Sequence, residues 1–267
     1  MDFSAVLSDS VTYAREAFIG KWLRWAIFII FALPASLIQF VINPKTILTE
    51  TGGINWSAIP WIQIAILCLA GLLLSFFLTG YIVRIYRGVK PAPDFTEWMT
   101  LFVDGIKLDI VWFIWLLPVI VITILAAALF AVTIFSGQAG GHNVFLLLLV
   151  PILLLVGLVL IIIAVLFGIL GVIRFARTNS ILEGISFSQI LKQIRTIGWA
   201  NYIISLIIFA VAVVIYCIIV MVIALIPYIG WVIVLVVNPF YMIFMARYFT
   251  LVYEQGEQHQ VPPAPVE

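Results

Sequence analysis

Two pairs of arginines are the residues of this chain whose type and spacing best suit a specific chemistry. Arg84 and Arg87, and later Arg174 and Arg177, are three residues apart, so each pair shares one helix face. Each pair ends a long apolar run, where a guanidinium reaches the level of lipid phosphates and suits the negative end of the helix dipole. The sequence therefore predicts that these four arginines bind anionic lipid headgroups, each worth about 1 kcal/mol.

Few other residues could support catalysis or metal binding. An intramembrane hydrolase needs paired acids, a serine with a histidine, or a histidine–glutamate metal pair. His142 falls in an outer loop and His259 in the C-terminal tail, and Arg247 is the deepest basic residue of the apolar runs. Cys68 and Cys217 lie inside apolar runs, where we expect them to pack without forming a disulfide or metal site. We therefore expect no enzyme, no metal and no cofactor.

Two groups of polar residues have both a functional and a structural interpretation. Pro239 frees the carbonyl of Leu235, and Asn238 can hydrogen-bond a neighbouring helix, so this pair is either a kink lining a substrate path or a packing kink. The packing kink is favoured. The second group is either an ion site or a capped, solvated helix face with local pairs such as Asp104–Lys107, which is favoured. Its members are Asp94, Glu97, Asp104, Lys107 and Asp109.

The composition places the chain in a membrane. Sixty-five per cent of its 267 residues are hydrophobic and 9% are charged, against roughly 45–50% and about 25% in soluble domains. The net charge of +1 indicates no nucleic-acid partner. Six runs are long enough to cross a hydrocarbon core of about 30 Å. They cover residues 22–42, 59–83, 109–135, 144–173, 202–226 and 229–252.

The basic residues predict the orientation. Twelve of the 13 lysines and arginines fall at one side of the six runs, and only Lys45 falls at the other. Because basic residues favour the cytoplasmic side, we expect a multi-pass protein of the plasma membrane with both termini in the cytoplasm. The first apolar run is expected to stay as a span, since no cleavage site for a signal peptide follows it.

The chain also has an internal period. Phe3, Phe95 and Phe187 are each 92 residues apart, and each follows a helix-capping residue and opens a short amphipathic stretch before two apolar runs. Asp94 with Glu97 and Ser186 with Gln189 fit a capping box, and Asp2 can cap the first stretch. These stretches are either interfacial helices facing lipid or helices packed under the bundle.

This pattern predicts an all-α polytopic membrane bundle. Six transmembrane helices form three parallel helix-plus-hairpin repeats, with the amphipathic helices on the cytoplasmic side. The single membrane domain covers residues 1–256, with repeats at about 2–86, 94–177 and 186–253, and a disordered proline-rich tail covers 257–267.

The segment between the second and third runs carries a family resemblance. It reads GYIVRIYRGVKPAPDFTEWMTLFVDGIKLDIVWFIWLLP and resembles the central motif of a prokaryotic, largely archaeal membrane family known as domain of unknown function 4013. The resemblance implies a polytopic membrane protein and brings no established activity, cofactor or catalytic residue. The resembling positions are Gly80, Tyr81, Arg84, Pro93, Phe95, Trp98, Leu101, Phe102, Gly105 and Pro118.

The hypothesis that follows is a non-enzymatic integral membrane protein. It would organise membrane or scaffold partners through its interfacial helices and through anionic lipid contacts. Its partners would be membrane lipids, other membrane proteins or a second copy of itself. The alternative is a transporter or export subunit for an apolar or lipidic substrate, and a membrane enzyme ranks third.

Overall fold

The computed structural model describes residues 1–42, 47, 53–138, 144–227 and 229–258. Within them the chain is all-α, and six helices are long and apolar enough to cross a bilayer, which confirms the predicted fold class. The helices are α1 (Phe3–Phe18), α2 (Trp22–Val41), α3 (Trp61–Tyr86), α4 (Trp98–Gln138), α5 (Val144–Thr178), α6 (Ile181–Gly184), α7 (Phe187–Ile197), α8 (Trp199–Ala224) and α9 (Gly230–Gln258).

The six predicted spans correspond to α2, α3, α4, α5, α8 and α9. The predicted hairpin between the last two is confirmed, because α8 ends at Ala224 and α9 begins at Gly230. A Cβ on Gly230 would overlap the carbonyl oxygen of Ile223, so the tight approach of the two helices requires glycine here. The structure does not describe Lys45, His142 or residues 259–267, which include His259 and most of the predicted tail.

The second amphipathic stretch is not a separate interfacial helix, which corrects the prediction. It begins at Trp98 and continues into the span as α4, a helix of 41 residues. The predicted capping box is also wrong, because Glu97 precedes the helix with a φ of 52° and the Asp94 carboxylate pairs with Arg24. Phe95 lies before the helix too, and its ring stacks on Tyr81 at 4.7 Å.

The chain forms two compact units, and the first comprises residues 1–107 and 194–267. Helix α9 is its centre, since it contacts α1, α2, α3 and α8. The buried residues of α9 include Ile243, Ala246, Tyr248 and Val252, which recur at helical spacing along its second half.

Two glycines in the first unit bring α3 and α4 into backbone contact. A Cβ on Gly80 would overlap the carbonyl oxygen of Leu101, and a Cβ on Gly105 would overlap that of Phe76. Small residues of this kind let membrane helices approach closely where no hydrophobic driving force holds them together. The start of α4, up to Lys107, is therefore packed directly on α3.

The second unit comprises residues 108–193 and is built on α5. Helix α6 packs against α5, and a Cβ on Gly171 would overlap the carbonyl oxygen of Gly184. The same Gly184 oxygen accepts a hydrogen bond of 3.1 Å from the indole nitrogen of Trp115. Phe167 and Phe187 pack with ring centroids 4.4 Å apart, which holds the start of α7 on α5.

The amphipathic helices α1 and α7 begin as predicted, at Phe3 and Phe187. The carboxylate of Asp2 accepts a hydrogen bond of 3.0 Å from the amide of Ala5, which confirms the first cap. Val6 and Ala14 of α1 and Ile190 and Ile194 of α7 are buried, whereas Val11 of α1 is 46% exposed. Packing on the protein is thus favoured over a face turned wholly to lipid, and their cytoplasmic placement stays a prediction.

Both cysteines are free and exposed. Cys68 lies in α3 and Cys217 in α8, and both helices are candidate spans. The predicted packing role is therefore wrong for these two side chains, which lie at the surface of their helices.

Candidate functional site

Arg84, a predicted headgroup ligand, lies at the end of α3 and holds the connection to α4. Its side chain is only 11% exposed. One terminal nitrogen donates to the carbonyl oxygen of Asp94 at 3.2 Å and to the hydroxyl of Thr96 at 3.0 Å, and the other donates to the Thr96 carbonyl oxygen at 2.7 Å. A carboxylate oxygen of Glu97 is a further acceptor at 3.4 Å. The guanidinium thus fixes three residues that precede α4.

Arg87 follows at the C-terminal end of α3 and pairs with α4. Its Nη1 atom lies 2.7 Å from Oδ2 of Asp104, whose side chain is buried. The favoured local pair between Asp104 and Lys107 is therefore wrong, because Asp104 is directed at the neighbouring helix. The arginine brings a cation to a carboxylate that would be costly to bury alone.

The second predicted pair lies at the end of α5. Nε and Nη2 of Arg174 donate to one carboxylate oxygen of Glu183 at 2.9 and 2.6 Å, which ties α5 to the short helix α6. Arg177 lies one turn later and is half-buried. Both arginines are at a helix end, as the sequence predicts, and their binding of lipid headgroups stays a prediction.

Large apolar side chains are exposed beside Lys21 in the first unit and beside the Arg174–Glu183 pair in the second. In the first unit, Trp22 and Leu23 at the start of α2 are 74% and 76% exposed and follow Lys21. In the second unit, Leu182 of α6 is 75% exposed and adjoins Glu183, the partner of Arg174. Apolar side chains beside cations are typical of surfaces at the boundary between lipid headgroups and acyl chains.

Sequence reasoning gave no role to Arg24, which is buried near the start of α2. Its Nη1 atom donates to the carbonyl oxygen of Ala17 at 2.8 Å, and its Nη2 atom donates to that of Ala92 at 3.1 Å and to the Asp94 carboxylate. The hydrogen bond and charge of Arg24 hold the pKa of Asp94 below its ordinary value. Asp94 is 70 residues away along the chain, so no local pattern shows the pair.

Arg247 of α9 is the most deeply buried cation of the first unit. It is fully buried, and its Nε atom donates to a carboxylate oxygen of Asp9 in α1 at 2.8 Å. The same carboxylate accepts from Lys90 at 3.3 Å, and the Arg247 guanidinium lies 5.1 Å from the centre of the Tyr13 ring. Its two terminal nitrogens have no hydrogen-bond partner among the described residues. The sequence marks Arg247 by its depth but gives no sign of Asp9.

The titration of this cluster follows from its burial and charges. Partial burial tends to raise the pKa of Asp9, but the hydrogen bond and charge of Arg247, with those of Lys90, hold it below its ordinary value of 3.8. Burial raises the pKa of Tyr13 to about 12. The cluster is therefore an arginine between a carboxylate anion and a neutral tyrosine at neutral pH.

A cavity of about 520 Å³ lies among α2, α3, α8 and α9 of the first unit. Most of its described lining is apolar, but five of the described side chains bear hydrogen-bonding groups. Asn238 is one of them, and its Oδ1 atom accepts a hydrogen bond of 3.0 Å from the hydroxyl of Tyr216, which confirms that Asn238 bonds a neighbouring helix. The sequence analysis missed the cavity, because its polar residues are scattered over three helices. They are Ser36, Gln39, Ser75, Trp231 and Asn238.

No cluster of three or more histidine, cysteine, aspartate or glutamate side chains suited to a metal occurs in the part of the chain that the structure describes.

The comparisons with known proteins give a family and no activity. The model of a family described as a protein of unknown function, DUF4013, matches residues 63–226. No curated protein and no solved structure matches the chain.

Proposed function

Since the chain belongs to DUF4013, a family of unknown function, we propose a function from its own geometry. It is a non-enzymatic multi-pass membrane protein that organises the membrane or scaffolds partners at its arginine-rich helix ends. These ends contact anionic lipid headgroups through Arg84, Arg87, Arg174 and Arg177. They face the cytoplasm at the plasma membrane, and the partners are lipids, other membrane proteins or a second copy.

The observation that carries the proposal is the exposure of large apolar side chains next to cations. Trp22 and Leu23 follow Lys21 in the first unit, and Leu182 adjoins the Arg174–Glu183 pair in the second. Water would disfavour such side chains, whereas the headgroup boundary accepts the rings and alkyl groups together with nearby cations.

The ion pair of Arg174 is compatible with lipid contact. Glu183 accepts from two nitrogens of Arg174, and a guanidinium has five N–H donors. The Arg174 side chain is one-fifth exposed, so a phosphate oxygen can approach it from the lipid side. The ion pair of Arg24 and Asp94 likewise ties α2 to the connection that precedes α4, which supports a structural role over a catalytic one.

Two sets of substitutions at the four arginines test the proposal. The purified protein is placed in bilayer discs with phosphatidylglycerol and phosphatidylcholine, and native mass spectrometry counts the phosphatidylglycerol that it retains. Changing all four arginines to glutamine should reduce the retained phosphatidylglycerol, whereas changing all four to lysine should largely preserve it, because lysine keeps the charge.

Lys45→Gln is the control, since Lys45 is the lone basic residue of the opposite predicted side. Arg177→Gln alone serves if the fourfold glutamine variant fails to fold. Equal retention by the native, glutamine and lysine proteins would overturn the proposal.

The cavity favours a second candidate function, a transporter or export subunit for an apolar or lipidic substrate. The cavity lies among four helices of one unit and combines an apolar lining with a few hydrogen-bonding groups, as ligand sites do. Transport of a fluorescent acylglycerol across reconstituted vesicles, faster than in protein-free vesicles, is the expected result. Equal rates would remove this candidate.

A further inference from the structure

We propose that the cavity among α2, α3, α8 and α9 binds one uncharged amphiphile. An apolar chain lies along the cavity, and a carbonyl, ester or hydroxyl oxygen accepts a hydrogen bond from the amide nitrogen of Asn238. The inference rests on the second candidate function for the use of this cavity as a ligand site, and it names the chemistry of the ligand.

The size and lining of the cavity define an apolar ligand without charge. The volume of about 520 Å³ lies within the range of roughly 300–1,000 Å³ for small-molecule sites. Phe31, Leu78, Val220 and Leu235 contribute apolar surface from four different helices, and none of the described residues that line the cavity is a lysine, arginine, aspartate or glutamate. A charged group placed here would lose its hydration without gaining a counter-ion.

Asn238 supplies the hydrogen-bond donor. Its Oδ1 atom accepts from the hydroxyl of Tyr216, and the Tyr216 ring stacks on Tyr241 with centroids 4.0 Å apart, so the amide is held in one orientation. Its amide nitrogen has no hydrogen-bond partner among the described residues. Since an unpaired donor in hydrocarbon is costly, an acceptor oxygen on a ligand at this point is stabilised.

The depth of the site distinguishes it from a headgroup site. Asn238 is eight residues from the start of α9, or about 12 Å along the helix at 1.5 Å per residue. Gln39 lies two residues before the end of α2, nearer the membrane surface, and its Nε2 atom donates to the carbonyl oxygen of Ser36. The amide oxygen of Gln39 remains as an acceptor for a hydroxyl of the ligand, so the cavity suits a molecule with oxygens at two depths.

The experiment uses the full-length protein in bilayer discs and a monoacylglycerol with a diazirine in its acyl chain as the probe. On illumination we expect the label in peptides of α2 and α9, and we expect an excess of unlabelled monoacylglycerol to suppress it. Label that does not saturate, or that lies only outside the cavity-lining helices, would overturn the proposal even without any variant.

Two matched variants locate the site. Ala35 is exposed and lines the cavity, so Ala35→Phe should fill it and abolish the saturable label. Leu37→Phe on the same helix, outside the lining, should leave the label unchanged. Asn238→Leu should weaken the competition by monoacylglycerol about three- to tenfold, which corresponds to the loss of one hydrogen bond. Equal labelling of the Ala35→Phe and native proteins would contradict the site.

The two possible sources of such a ligand are separated by the competitor. Suppression by monoacylglycerol but not by a polyprenol assigns the site to glycerolipids. Suppression by both, with the polyprenol effective at the lower concentration, assigns it to isoprenoids. Saturable label that Ala35→Phe abolishes, without transport in vesicles, leaves the ligand site standing and removes the transporter function. Transport that persists in Ala35→Phe removes this cavity as the ligand site and leaves the function.

Discussion

Arg247 is fully buried in α9, and the acid that balances its charge, Asp9, is 40% exposed. Removing the acid leaves a cation in the interior that has lost its carboxylate. We expect Asp9→Asn to lower the melting temperature in detergent. The free energy of unfolding should decrease by less than the roughly 3–5 kcal/mol that is typical when one partner of a fully buried ion pair is removed, because Asp9 keeps contact with water.

Glu16→Gln is the matched control for this variant. Glu16 is exposed on the same helix, α1, and has no ion pair within the described residues. Its substitution should leave the melting temperature nearly unchanged. A similar decrease for both variants would show that the charge of α1, and not the pair with Arg247, matters.

The same residue predicts a dependence of stability on pH. The pKa of Asp9 is lower in the folded protein than its ordinary value of 3.8. The unfolded chain therefore binds the proton first as pH falls, and the stability from Asp9 is present above that value and is lost as pH falls through the folded pKa. When the pH falls from about 5 to about 3, the melting temperature of the native protein should therefore decrease more than that of the Asp9→Asn protein. Equal decreases in the two melting temperatures would contradict this assignment. Asp94, whose pKa is also lowered, should make both proteins less stable in acid by the same amount.

The crossing of α3 and α4 depends on glycine. A Cβ on Gly80 would overlap the Leu101 carbonyl oxygen, so Gly80→Ala must push the helices apart, at a cost of about 1–3 kcal/mol or more. On the same helix, a Cβ on Gly71 would meet its nearest neighbours at 3.8 Å. Gly71→Ala should therefore be neutral or stabilising, since alanine is the better helix former by about 1 kcal/mol. Thermal unfolding of the two variants measures the difference, and an equal effect would refute close packing at Gly80.

The second unit offers an independent pair of variants. Gly171→Ala would overlap the carbonyl oxygen of Gly184, whereas a Cβ on Gly157 of the same helix would lie 3.6 Å from the nearest side chain. We expect Gly171→Ala to loosen α6 and to raise hydrogen exchange at 181–184, and Gly157→Ala to leave that exchange unchanged. Unchanged exchange in both variants would show that α6 does not depend on this contact.

Sequence patterns predicted the elements better than their contacts. Apolar length alone placed the spans, because a bilayer requires about 20 apolar residues whatever they touch. The capping box at Asp94 failed because its carboxylate is used by Arg24, 70 residues earlier. Arg84 and Arg174 were found at helix ends, but Asp9 as the partner of Arg247 lies 238 residues away, and no local period encodes such a pair.

The number of membrane crossings and the orientation of the chain in the membrane can be tested separately. Three candidate spans, α3, α4 and α5, lie between the turn Trp56–Ala58 and the end of α5 at Thr178. If each of the three crosses the membrane, we expect these two points on opposite sides in either orientation. The distribution of lysine and arginine then predicts which point is cytoplasmic. Twelve of these 13 residues fall on the predicted side of Thr178, so Thr178 is expected in the cytoplasm.

Single cysteines at these points test both statements. In a protein carrying Cys68→Ala and Cys217→Ala, we introduce either Ser57→Cys or Thr178→Cys, both at exposed positions. A membrane-impermeant maleimide should label the Ser57→Cys protein in intact cells and the Thr178→Cys protein only after the membrane is opened. Labelling of both in intact cells would refute three crossings, because an odd number separates their sides. Labelling of Thr178→Cys alone would keep the six spans and reverse the orientation, which would place the arginine-rich ends, and any headgroups that they bind, outside the cell.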